Sequence, residues 1–225
     1  MIKNLRWAAL AVALLVVPFA APTPAQARDR SAPAFALSVT AAVHALPLAA
    51  EARDGYQRTS FKHWNAGKNP TDGCNTRAEV LLAEAVDPPQ VLPGCKLSGG
   101  RWWSYYDGKW ITAASALDVD HMVPLAEAWD SGASQWTAER REAYANDLDA
   151  PTSLVAVSAA TNRSKADQDP AEWLPPSVDV MCRYASEWIG TKLRWGLTAD
   201  AVELEALDQL AEACPGTTVS YRPAP

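Results

Sequence analysis

The sequence has no C-x-x-C pair, no second long apolar run after its first 27 residues, no internal repeat and no surplus of positive charge. Each absence removes a class of protein. Structural zinc sites usually recruit a C-x-x-C pair, so its lack speaks against a zinc-stapled fold. Without a further apolar run there is no candidate membrane span, which needs about 18 or more such residues. A formal charge of −6 argues against a protein that coats nucleic acid, because that binding rests on phosphate neutralisation by Lys and Arg. It does not argue against an enzyme, which needs only local positive charge, part of which a bound divalent cation can supply.

What is present begins with a leader. Lys3 and Arg6 precede an apolar stretch from Trp7 to Ala21, and Ala25-Gln26-Ala27 forms a small-x-small cleavage site. Pro18 and Pro22-Thr23-Pro24 interrupt the stretch, so it reads as a secretory signal peptide over residues 1–27 rather than an anchor, with no Cys at the cleavage point to accept lipid. Cleavage removes two cations and no acid, which takes the formal charge from −6 to −8. The expected product is a secreted, extracellular monomer without stable membrane association. Its remaining length suits one domain with a sizeable core.

All four cysteines survive cleavage: Cys74, Cys95, Cys182 and Cys214. An even count in an exported chain suggests two disulfides, in any of three connectivities. Cys74 with Cys95 and Cys182 with Cys214 is favoured, since each pair brackets a self-contained stretch.

Apolar spacing predicts a helix over Phe35–Ala45 after a lead-in, punctuated by Pro47. Thr76-Arg77-Ala78-Glu79 has the capping-box form before a helix over Arg77–Ala85. An aromatic hairpin is expected around Asp107-Gly108-Lys109, and a short strand over Leu117–Asp120 running into His121. Helices are expected over Ala126–Trp129, closed by Gly132, and over Thr137–Leu148. Leu154–Val157 is a buried strand, followed by a helix that Ser158 caps and that carries Asn162 and Lys165. Two helices close the chain, Val180–Trp195 and Thr198–Ala213, with Thr198 as N-cap of the second. The fold class is α+β, a mostly helical single domain stapled by two disulfides.

The chemistry concentrates between Asp118 and Asp169. Phosphodiester hydrolysis needs a base to activate water and ligands to hold a charge-offsetting cation. A neutral imidazole suits the first task, and a carboxylate with a side-chain amide suits a hard cation such as Mg²⁺. Strand alternation would send Asp120 and His121 to opposite sides. His63 with Trp64, and His44 on its apolar stretch, read as structural.

The ordered pieces Asp118-Val119-Asp120-His121-Met122-Val123-Pro124-Leu125, Asn146-Asp147-Leu148 and Asn162-Arg163-Ser164-Lys165 resemble the HNH endonuclease family, in its secreted bacterial branch with a ββα-metal core. Cys74-Asn75-Thr76-Arg77-Ala78-Glu79-Val80-Leu81 and Asp167-Gln168-Asp169-Pro170-Ala171-Glu172-Trp173 extend the similarity. The resemblance implies residues 28–50 as lead-in and helix, and a nuclease domain over 51–225. Its core would lie near 115–170 and its C-terminal helices over 177–214. It further implies His121 as general base, Asp120 and Asn162 as ligands of Mg²⁺ or Mn²⁺, and Asn146 as the residue that orients the histidine through its loop. Arg77, Arg163 and Lys165 are candidates for substrate phosphate. The implied activity is endonucleolytic cleavage of nucleic acid, DNA foremost, without strong sequence selectivity, leaving 5′-phosphate and 3′-hydroxyl ends. Ala166 stands where this branch commonly has Gly, and no cysteine zinc knuckle is present.

Ten tryptophans suggest a rival from another class. Exposed indoles at Trp102, Trp103 and Trp110 could stack on sugars in a carbohydrate-binding module, or in a glycosidase using Asp118 and Glu127, although no feature fixes the carboxylate separation that glycosidases need. An inactive DNA-binding relative is a third reading, and the intact Asp120, His121 and Asn162 speak against it.

Overall fold

The computed structural model describes residues 33–225; the signal-peptide reading of residues 1–27 lies outside the described residues. In chain order the elements are β1 (Phe35–Ser38), α1 (Val39–Val43), α2 (Thr76–Ala83), β2 (Gln90–Leu92), β3 (Lys96–Ser98), β4 (Trp102–Ser104), β5 (Lys109–Ile111), β6 (Leu117–His121) and α3 (Leu125–Asp130). There follow α4 (Ala138–Ala145), β7 (Leu154–Ser158), α5 (Ala159–Lys165), α6 (Met181–Trp195), α7 (Ala201–Ala213) and β8 (Thr218–Tyr221). The class is α+β in one domain, with helices around small antiparallel sheets, as expected.

The ribbon β6–β7 sits at the centre. Its register pairs Leu117 with Ser158 and His121 with Leu154. Alternation divides the ribbon into two faces. Leu117, Val119, Leu154 and Ala156 join one buried cluster with Val80, Leu81 and Trp102, whereas Val155 and Val157 join the larger cluster built on α1, α6 and α7. Every residue of β7 is buried, which explains its uninterrupted apolar run. Ser158 ends the strand and caps α5, its Oγ accepting from Thr161 N at 3.3 Å. The helix therefore folds back at once across both strands.

Polar groups tie the C-terminal helices to this unit. Asp147 accepts from Arg194 Nε at 2.7 Å, Ser153 Oγ at 2.7 Å and Trp195 Nε1 at 3.0 Å. Lys192, fully buried on α6, binds Glu127 of α3 at 2.8 Å and Glu203 of α7 at 2.5 Å. Tyr184, Trp188 and Lys192 share one face of α6 by i, i+4 spacing, and Gly196 ends the helix at φ 65°. The disulfides join Cys74 to Cys95 and Cys182 to Cys214, the favoured connectivity.

Several local expectations are corrected. Phe35–Ala45 is a strand followed by a one-turn helix, because β1 pairs with β8 at the other end of the chain, Phe35 opposite Tyr221. Asn75, not Thr76, caps α2, accepting from Ala78 N at 2.9 Å, while Glu79 accepts from Lys68 N at 2.7 Å. Asp200, not Thr198, caps α7, with Glu203 N at 2.7 Å. Trp102 is no exposed indole: it is 1% exposed and donates Nε1–H to Leu81 O. Trp103 and Trp110 do stand exposed, opposite one another on the β4–β5 hairpin.

Candidate active site

The end of β6, the residues just after it and α5 enclose a cavity of about 310 Å³, lined in part by Arg58, Asp120, His121, Asn162, Arg163 and Asp167. Asp118 and Asp120 share the ribbon face that α5 covers, and His121 belongs to the other face. Both Asp120 and His121 still border the cavity, because the strand stops there.

Asp120 is fixed by two donors on one oxygen: Lys165 Nζ at 2.6 Å and Tyr106 Oη at 2.7 Å, both on Oδ2. Lys165 also donates to the carbonyls of His121 at 3.0 Å and Met122 at 2.9 Å, so its ammonium holds the end of the strand from inside. Burial pushes the Asp120 carboxyl up and the Lys165 ammonium down, and each is drawn back by the charge of the other. On α5, Asn162 Nδ2 donates to Asp118 Oδ2 at 3.3 Å, and Arg163 Nε lies 3.6 Å from the same oxygen.

His121 is held at its Nε2, 3.0 Å from Ala145 O. A carbonyl can only accept, so Nε2 carries the proton and Nδ1 presents a lone pair. Burial lowers the imidazole pKa to about 3, which keeps the ring neutral. Trp64 and Tyr144 lie nearly parallel to the ring, at interplanar angles of 26° and 20°.

The expected site residues divide. Asp120, His121, Asn162 and Arg163 meet at the cavity. Asn146 does not line it. Its Oδ1 accepts from Asn65 N and Thr76 Oγ1, both at 2.9 Å, and its Nδ2 donates to Lys62 O at 2.9 Å and Glu142 O at 2.8 Å. It pins the turn whose preceding residue, Ala145, holds the histidine. Lys165 is fully buried, so it cannot reach substrate. Arg77 donates to Leu117 O at 2.8 Å, at the far end of β6, and borders a different cavity. Glu127, offered for the glycosidase reading, is buried against Lys192 and Ser131.

Arg58, Tyr106 and Trp64 were missed as site residues. Arg58 lies in a short 3₁₀ turn and Tyr106 in a hairpin loop, and neither stretch has a motif that marks it. Among the described residues one group of three acids could hold a metal ion, Glu51, Glu127 and Asp130, whose oxygens lie within 4.8 Å of one another. Lys192 and Arg53 already neutralise two of the three, and Glu51 is pushed up to about 7 by burial and by Glu127.

The comparison with known families points to a nuclease-type domain. The chain belongs to the family of GmrSD restriction endonucleases, C-terminal domain, whose model matches residues 94–209. It is also 38% identical over 204 residues, 91% of this chain and 95% of the relative, to an "uncharacterized secreted protein" of Arthroderma benhamiae (strain ATCC MYA-4681 / CBS 112371). That relative is fungal, so the similarity reaches beyond the bacterial branch expected from the motifs. No solved structure matches the chain. The family stretch holds Asp120, His121, Asn146 and Asn162; Arg58 and Trp64 precede it.

Proposed function

We propose that the protein is a secreted HNH-type endonuclease that hydrolyses phosphodiester bonds of DNA without strong sequence selectivity. The observation that carries this reading is a neutral imidazole with a free Nδ1 beside a carboxylate and an amide, where an antiparallel strand pair runs into a helix. We assign the nuclease domain to residues 51–225, its core to about 115–170, and the export signal to residues 1–27. Two disulfides and the name of the fungal relative support export. Among the described residues no helix is long and apolar enough to cross a membrane.

Asp120 and Asn162 would hold a divalent cation. The bonds given above fall on Asp120 Oδ2 and Asn162 Nδ2, so they consume neither Oδ1. A carboxylate with an amide oxygen suits a hard ion, Mg²⁺ or Mn²⁺, that keeps several waters. When bound, such an ion offsets charge developing on the phosphoryl group and the leaving oxygen.

His121 Nδ1 accepts a proton from water as its oxygen attacks phosphorus and the bond to the 3′-oxygen breaks. The departing 3′-oxygen takes a proton from solvent, which leaves a 5′-phosphate and a 3′-hydroxyl. Arg163, with its side chain 77% exposed at the cavity, and Arg58 meet the phosphate backbone. Asn146 and Lys165 act through His121 and Asp120 as positioning residues.

Supercoiled plasmid, incubated with the oxidised, signal-free protein and Mg²⁺, is expected to be nicked and then degraded. EDTA should abolish cleavage, and His121→Ala should lower its rate about 10²- to 10⁴-fold. Equal degradation by wild type and His121→Ala would overturn this assignment.

A further inference from the structure

We propose that Trp64 is a positioning residue for His121, its indole fixing the plane of the imidazole so that Nδ1 meets the attacking water. The inference rests on the nuclease reading above and deepens it.

A single hydrogen bond to Ala145 O fixes one edge of the imidazole and leaves rotation about that bond. Near-parallel neighbours remove this freedom. The Trp64 ring centroid lies 5.4 Å from that of His121, and the Tyr144 centroid 6.3 Å away. Tyr144 is a buried α4 residue in the main core, so its presence needs no further explanation. Trp64 is different. It lies outside any helix or strand, at φ 61°, a left-handed conformation that bulky L residues rarely adopt.

The surrounding loop holds Trp64 in that conformation. Asn146 clasps both ends of the four-residue stretch Lys62–Asn65, donating to Lys62 O and accepting from Asn65 N. Thr76 N at 2.8 Å holds Asn65 O, and Asn65 Nδ2 at 2.6 Å holds Glu142 Oε1. His63 Nδ1 donates to Phe61 O at 2.7 Å, which anchors the preceding ring. The turn that secures His121 Nε2 thus also secures the loop that stacks on the imidazole. A glycine would make this turn without strain, so a large ring there is accounted for by what it packs against, the smaller cluster and the imidazole.

The test compares Trp64→Phe, Trp64→Leu and Trp64→Gly with wild type. Each is assayed on bis(p-nitrophenyl) phosphate, which has no nucleobase, and on duplex DNA, both with Mg²⁺. Trp64→Leu and Trp64→Gly are expected to lose about 10- to 100-fold in kcat on both substrates with little change in KM, since small misplacements of a reacting group cost that much. Trp64→Phe should recover most of the rate. The His121 ring signals should show the Nε2–H tautomer in all variants, sharp in wild type and Trp64→Phe and broadened by motion of the imidazole plane in Trp64→Leu. Equal kcat for the Leu and Phe variants would overturn the proposal. So would a loss confined to KM on DNA, which would make Trp64 a base-stacking contact. Inactivity of wild type on both substrates would remove the nuclease reading instead, and the ring signals would then decide the positioning claim.

Discussion

Lys165 and Arg163 stand two positions apart on α5 and have opposite environments. Lys165 is a buried cation with three oxygen acceptors, one of them Asp120. Removing one partner of a buried pair leaves the other uncompensated, so Lys165→Met should destabilise by about 3–5 kcal/mol in urea denaturation. Arg163 is exposed and only loosely paired, so Arg163→Ala should leave stability within about 0.5 kcal/mol of wild type. Its effect belongs to DNA affinity, where losing one phosphate contact should lower the slope of log K against log salt by about 1. An unchanged slope in filter binding would remove Arg163 from the substrate path. At this scale the sequence was informative where several residue types occur in order. The motif named Asp120, His121 and Asn162, and the structure brings the three to one cavity. The same motif gave no sign that Lys165 points inward, because burial depends on Tyr106 and β6 closing over it. Trp64 was equally illegible: its partner is 57 positions away.

β7 illustrates what an element needs beyond its own residues. As one of only two strands in its sheet it has an open edge, and Glu84 from beyond α2 covers part of it, Oε2 accepting from Ala156 N at 3.0 Å. Burial pushes the Glu84 carboxyl up to about 7 from its ordinary 4.5. The folded protein then holds this proton more tightly than the unfolded chain does. The group favours folding most below pH 4.5, and that advantage is lost as pH rises through about 7. Glu84→Gln keeps an acceptor and removes the charge. Thermal melts should show it near wild type at pH 4.5 and more stable by up to about 3 kcal/mol at pH 8. A difference independent of pH would refute the cause. Elements with local signals were legible: β7 from its apolar run, α5 from its Ser cap, α6 from its spacing. β1, β2, β3 and β8 are only three or four residues long, and β1 pairs with a strand at the opposite chain end, so no local window contains the reason for its shape. The caps at Asn75 and Asp200 were misplaced by one or two residues, because Thr76 and Thr198 offer the same chemistry next door.

Over the whole molecule, the α+β class and both cysteine pairs followed from counts and spacing, whereas the relation between the two buried clusters depended on strand register. Cys182 at the start of α6 and Cys214 at the end of α7 close a 32-residue separation around helices that also share Lys192 and Glu203. By loop entropy, replacing both with Ser should cost about 4 kcal/mol, measurable as a lower urea midpoint with a slope equal to or steeper than that of wild type, since the unfolded chain expands. No change in midpoint would mean that the ion pair and packing suffice.

The pairing of β1 with β8 places the first and last strands of the described chain side by side. Synthesis delivers β1 long before its partner. Phe35 emerges early and must wait for Tyr221, and meanwhile α1, which packs against α6 and α7, has nothing to dock on. A chain passing N-terminus first through a ribosome or an export pore therefore cannot complete this sheet until β8 has emerged. The late strand thus decides when the early one is buried, and a chain lacking Thr218–Tyr221 would leave β1 without a partner.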